Sequence, residues 1–171
     1  MLLLCVASFA TLHAEITSAQ SSDEDVALVQ HNIETVLASG YYFSGEAQDK
    51  KDQVYRNMQD AANSAHMSID MNIKWPKIIK VETTSRCVVH VWVGPMTMDV
   101  TGRDYYRPAN LLLNSGDFDL PWNRLISARA DSGKVLLMWK GASRESVITT
   151  QYGSKGVVDS INFMRTECAG N

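Results

Sequence analysis

The alternation of polar and apolar positions changes period several times along the chain. Between Ser22 and Gly40, the apolar residues Val26, Val29, Ile33, Val36 and Leu37 recur at helical spacing and fall on one face. Ser22 is placed to cap this helix, with Asp25 completing a weaker form of the capping box, and Gly40 is placed to stop it. Residues 46–65 carry only a thin stripe of Val54, Met58, Ala61 and Ala65 among charged and amide side chains. A helix with so little apolar surface belongs on the outside of a fold. From Met67 to Lys74 the period shortens to alternation, with Met67, Ile69, Met71 and Ile73 apolar and Ser68, Asp70, Asn72 and Lys74 polar. That is the mark of a half-buried strand. Trp75-Pro76 interrupts it, and two β-branched runs follow, Lys77–Thr84 and Arg86–Val93. In the second run Cys87, Val89, Val91 and Val93 share one face and Val88, His90 and Trp92 the other, which predicts a central strand.

Gly94-Pro95 turns the chain into a further strand over Met96–Thr101. Residues 102–121 are punctuated by Gly102, Pro108, Gly116 and Pro121 and read as loop. A short helix is predicted over Trp122–Ala130, then a turn at Asp131-Ser132-Gly133. Val135–Trp139 and Ser146–Gln151 form a predicted hairpin. The last helix covers Ser154–Cys168, with Val157, Ile161, Met164 and Cys168 on one face. The expected class is α+β: a mainly antiparallel sheet of about five to six strands with two N-terminal helices and a C-terminal helix packed on it. The chain of 171 residues is one domain's worth, with no repeat or linker that would divide it.

Residues 1–14, MLLLCVASFATLHA, form an apolar run of the length expected of a signal peptide, followed by small residues at Ala14 and Ala19. No Lys or Arg precedes the run. The expectation is a leader over residues 1–19, a single α+β domain over 20–171, and a periplasmic or secreted location. Contact with a membrane is expected only if residues 1–14 stay attached. Removal of the leader removes Cys5 and leaves Cys87 and Cys168, an even count in an oxidising compartment. A disulfide between them is expected to pin the last helix to the central strand.

Composition is that of an ordinary globular chain, and the formal net charge is −3 with no basic stripe, which argues against a nucleic-acid partner. Gly153-Ser154-Lys155-Gly156 has the outline of a nucleotide-clamping loop, but Asp159 stands where that loop needs an aliphatic residue. The segment reads instead as a helix start with Ser154 as its cap. His31, His66 and His90 fall in separate elements and no C-x-x-C is present, so no metal is expected. Cys87 and His90 lie three apart on a strand and face opposite ways, so they make no catalytic pair. Neither a P-loop, a dinucleotide fingerprint nor a G-x-S-x-G elbow occurs, and no cofactor is expected. Asp117 and Asp119, flanking Phe118, read as turn carboxylates.

Two aromatic segments stand out. Tyr41-Tyr42-Phe43 sits between Gly40 and Gly45, and Gly102-Arg103-Asp104-Tyr105-Tyr106-Arg107-Pro108 has a similar character. Tyr and Arg beside Gly and Ser offer large contact area at low entropic cost. The candidate binding set is therefore Tyr41, Tyr42, Phe43, Arg103, Tyr105, Tyr106 and Arg107. The order Leu125 to Ala130, Asp131-Ser132-Gly133, Val135 to Trp139, Val147 to Gln151 and Gly156 to Cys168 resembles the ends of small bacterial periplasmic β-rich domains such as the invasion-associated locus B type. That resemblance covers the C-terminal stretch alone and carries no catalytic residue over to this chain. The expected function is non-enzymatic binding of another protein or an envelope component, as an inhibitor, an immunity-type protein or an accessory factor. Two alternatives are an envelope hydrolase built on Asp117, Asp119 and His90, and a structural subunit of an envelope assembly.

Overall fold

The structure, a computed structural model, describes residues 21–102, 105–111 and 115–170, with residues 105–111 described in backbone only. The expected leader falls outside these residues. Three helices are present, α1 (Asp23–Leu37), α2 (Gly45–Ser64) and α3 (Ser154–Glu167). The strands are β1 (Tyr41–Phe43), β2 (Ile69–Lys74), β3 (Ile78–Ser85), β4 (Val88–Val93), β5 (Met96–Gly102), β6 (Tyr105–Leu111), β7 (Gly116–Pro121), β8 (Leu125–Asp131), β9 (Lys134–Trp139) and β10 (Ser146–Thr149). They form three antiparallel sheets, ordered β1-β10-β9-β8, β2-β5-β6 and β3-β4-β7. The α+β class and the antiparallel pairing agree with the sequence pattern. The strands number ten among the described residues and divide into three sheets, more than the single sheet expected.

The surplus comes from two segments. Residues expected to be loop form β6 and β7, and Trp122–Ala130 is a single 3-10 turn at Trp122–Arg124 running into β8 instead of a helix. Pro108 lies within β6, at the edge of its sheet, where a missing backbone N–H breaks no inner ladder. In β8 the pairing with β9 slips between Leu125 and Ser127, so the buried Leu125 and Ala128 stand three apart, a helical spacing produced by a bulge.

The helices follow their patterns closely. The Ser22 side chain accepts from the Asp25 N–H, and Ser44 does the same for the Ala47 N–H at the start of α2. At α3 Gly153, not Ser154, holds the cap position and gives no side-chain hydrogen bond. Val26, Ile33 and Leu37 of α1 meet Val157, Ile161 and Met164 of α3 in a core shared with Val89, Val91 and Val93 of β4 and with Leu137 and Ile148 of the first sheet. Trp122 is fully enclosed there. A smaller cluster of Phe43, Ala47 and Met96 with Ile73 and Trp75 packs at the start of α2.

The Cys87 and Cys168 sulfurs lie at bonding distance, 2.13 Å. Cys87 sits in the turn between β3 and β4, just ahead of the central strand it was expected to join, and Cys168 caps α3. The same turn collects ties from both helices. Arg86 pairs with Asp23 of α1 and with Glu167 of α3, and Gln30 donates to the Arg86 carbonyl at 2.8 Å. β1 joins two of the sheets: beyond its pairing with β10, the Ile78 N–H donates to the Gly40 carbonyl at 3.0 Å and Tyr42 N–H to the Pro76 carbonyl at 3.3 Å. On the β10 side the approach requires Gly40, because a Cβ there would lie 2.4 Å from the Thr149 carbonyl oxygen.

Candidate functional site

β4 is the middle strand of its sheet, and its alternation sets two faces. Val89, Val91 and Val93 point into the core, and His90 and Trp92 point outward, half-buried. Residues directly opposite in antiparallel strands share a face. The register pairs Lys80 with Trp92 and Trp92 with Asp117, and pairs Glu82 with His90 and His90 with Asp119. The outer face is therefore a grid of two rows, Lys80–Trp92–Asp117 and Glu82–His90–Asp119.

The side chains close this grid. His90 Nδ1 lies 2.7 Å from Asp119 Oδ1, and His90 Nε2 lies 3.3 Å from Asp117 Oδ2. The imidazole edge meets the Trp92 ring at 4.2 Å between centroids, and Lys80 Nζ sits 4.2 Å over the same ring. Lys80 also pairs with Glu82 at 2.6 Å, and that contact holds the Glu82 carboxyl below its ordinary range. His90 is 18% exposed and both aspartates are 64% exposed, so the ring is fixed while the carboxylates remain open to a partner.

Asp117 and Asp119 are thus strand residues, and His90 lies between them. The expectation of turn carboxylates does not hold, because the alternation of Asp117, Phe118, Asp119 and Leu120 is that of a strand with a polar outer face. Cys87 lies in the turn ahead of β4, not on the strand with His90, and its sulfur is at bonding distance from that of Cys168. His31, His66 and His90 fall on α1, in the turn after α2 and on β4, and among the described residues no cluster of His, Cys, Asp and Glu is arranged to hold a metal ion.

The aromatic set divides. Tyr42 and Phe43 are 4% and 2% exposed, so they are core residues and cannot meet a partner directly. Tyr42 packs edge-on against Phe118 and donates to Ser146 Oγ at 3.4 Å. Burial pushes its phenol above the ordinary value, which the hydrogen bond partly offsets. Tyr41, on the opposite face of β1, is 40% exposed. Arg103 lies outside the described residues, and Tyr105, Tyr106 and Arg107 lie on β6, where the backbone alone is described.

Tyr41 borders a cleft of about 470 Å³ with Ile73, Lys74, Trp75, Lys134 and Thr149. Trp75, Lys134 and Thr149 are missed by sequence reasoning because they come from distant segments. Trp75-Pro76 as a break between strands was the signal that could have pointed to them, since an aromatic at a strand end is poorly covered. Among the described residues no helix is long and apolar enough to cross a membrane. Comparison of the chain with models of protein families, with curated proteins and with solved structures returns no match.

Proposed function

We propose that this chain is an exported, non-enzymatic binding protein that recognises another protein through the outer face of β3, β4 and β7. The observation that carries this reading is the double restraint on His90. Each imidazole nitrogen faces a carboxylate, Asp119 at 2.7 Å and Asp117 at 3.3 Å. A general base needs one nitrogen free to take a proton from a nucleophile or water. Here the ring serves to fix the face instead, with Trp92 held between it and the Lys80 ammonium. A rigid aromatic anchor ringed by fixed charges is the composition of a protein-recognition hot spot. The exposed Asp117 and Asp119 at one end call for a cationic group on the partner. Export is supported by the apolar N-terminal run together with the sulfur pair at bonding distance.

The test compares the full wild-type chain with a Trp92→Ala, His90→Ala double variant as bait in envelope extract, followed by titration of the captured component in purified form. A component that binds the wild type at least about tenfold more tightly, about 1.4 kcal/mol, supports the reading. Equal binding by both baits overturns the surface.

The convergence of His90, Asp117 and Asp119 also favours a second reading, an envelope hydrolase on the same face. Turnover of ester or glycoside substrates by the wild type that is lost in His90→Ala would replace the first reading with this one.

A further inference from the structure

We propose that the cleft beside Tyr41 is a binding site for an acidic saccharide. It lies on a different surface from the His90 face and its argument does not depend on that face. The register builds its floor from three distant segments. Tyr41 of β1 is paired with Thr149 of β10, and Thr149 with Lys134 of β9, so the three side chains stand in one row on one face of the sheet. The isolated bridge between Tyr41 and Lys77 extends that row by one further cation. Trp75 stands beside it, with its ring edge-on to the buried Phe43 at 5.3 Å, so the indole is braced from behind.

The chemistry of the lining is specific. Two aromatic rings, one half-buried and one exposed, offer flat apolar faces on which the C–H face of a pyranose ring can stack. Lys134 Nζ lies 5.2 Å from the Trp75 ring centroid, which sets an ammonium beside the indole on the lining of the cleft. Lys74 is on the lining as well, ion-paired to Asp99 at 3.2 Å but with a side chain 66% exposed. The other nearby carboxylate, Asp131, lies opposite Lys134 in register and within 3.9 Å of Arg129. Among the described residues no carboxylate lines the cleft itself, on a chain whose formal net charge is −3. Local positive charge gathered around aromatic faces against that background fits an anion carried on a ring. The Thr149 and Tyr41 hydroxyls supply the donors and acceptors that a polyhydroxylated ligand needs. The volume falls within the range of small-ligand pockets, about 300–1,000 Å³.

Isothermal titration of the full chain tests this with oligosaccharides of galacturonate and of glucuronate, their neutral counterparts of equal length, and inorganic phosphate and sulfate. At least one acidic oligosaccharide is expected to bind, with the neutral counterpart at least about tenfold weaker and the free anions weaker still. Lys134→Ala and Tyr41→Ala change exposed side chains and are expected to fold as the wild type does, each with at least about fivefold weaker binding. Trp75→Ala is expected to bind least, and its melting transition shows whether loss of the Phe43 contact contributes. The proposal is overturned if no acidic oligosaccharide binds, if neutral oligosaccharide or free phosphate binds as tightly, or if Lys134→Ala and Tyr41→Ala bind like the wild type. His90→Ala and Trp92→Ala are expected to leave this binding unchanged, so the two surfaces succeed or fail separately.

Discussion

Tyr42 shows how one buried side chain carries both packing and a pH dependence. Its ring fills the core against Phe118 and its hydroxyl reaches the buried Ser146. Tyr42→Phe is expected to cost about 1 kcal/mol at neutral pH, the net worth of a hydrogen bond. The raised phenol value sets the direction at high pH. The folded chain holds this proton after the unfolded chain has released it, so the stabilisation is complete below about pH 10 and is lost as pH rises through the folded value. Denaturant unfolding at neutral pH and above pH 10 is expected to show the gap between wild type and Tyr42→Phe closing at the alkaline end. The lesson for the aromatic triplet is one of parity. Alternation along a strand sends Tyr41 one way and Tyr42 the other, but the sequence does not say which face is covered. The cover comes from β7, β10 and α2, all far along the chain or on the next element.

Among the elements, α2 is the one held mostly by its ends. Its exposed middle agrees with its thin apolar stripe, and its first two turns are tied to the loop between β9 and β10, where the Gln48 side-chain amide donates to the Glu145 carbonyl at 2.9 Å. Arg144 of that loop reaches Asp49 at 3.1 Å and Asp52 at 2.7 Å, and the hydrogen bond from Arg144 holds the Asp52 carboxyl below its ordinary range. Both partners are partly exposed, so Arg144→Ala is expected to cost no more than about 1 kcal/mol at neutral pH. A lowered carboxylate stabilises above its unfolded value, about 3.9, and that contribution is lost as pH falls through the lowered value. The difference between wild type and Arg144→Ala in urea unfolding is therefore expected to shrink at about pH 3, and also in high salt. Elements with an unbroken period were legible: the helical face of α1, the alternation of β2 and β4, the hairpin of β9 and β10. β8 was not, because its bulge gives two buried residues a helical spacing, and neither was β6, because Pro108 reads as a break until its strand is known to be an edge.

At the scale of the molecule, parity of cysteines identified the covalent tie, while the two candidate sites could not be read from spacing. The His90 grid needs β3, β4 and β7 in register, and the Tyr41 cleft needs β1, β9 and β10 together with Trp75. The bridge from Cys87 to Cys168 spans 81 positions, and a chain-entropy estimate gives it about 4–5 kcal/mol. The double variant Cys87→Ser, Cys168→Ser is expected to melt roughly 10–20 °C lower by calorimetry, with the His90 face still assembled below the transition.

The placement of that covalent tie has a further result under protease attack. Most of the strands, and all of α3, lie within the ring it closes. A single cut anywhere between Val88 and Glu167 leaves the two pieces as one molecule, which runs at full mass on a non-reducing gel and separates only when thiol is added. A cut in α1 or α2, outside the ring, frees a fragment once the chain is denatured. Digestion read in both gel conditions therefore reports which side of Cys87 was opened.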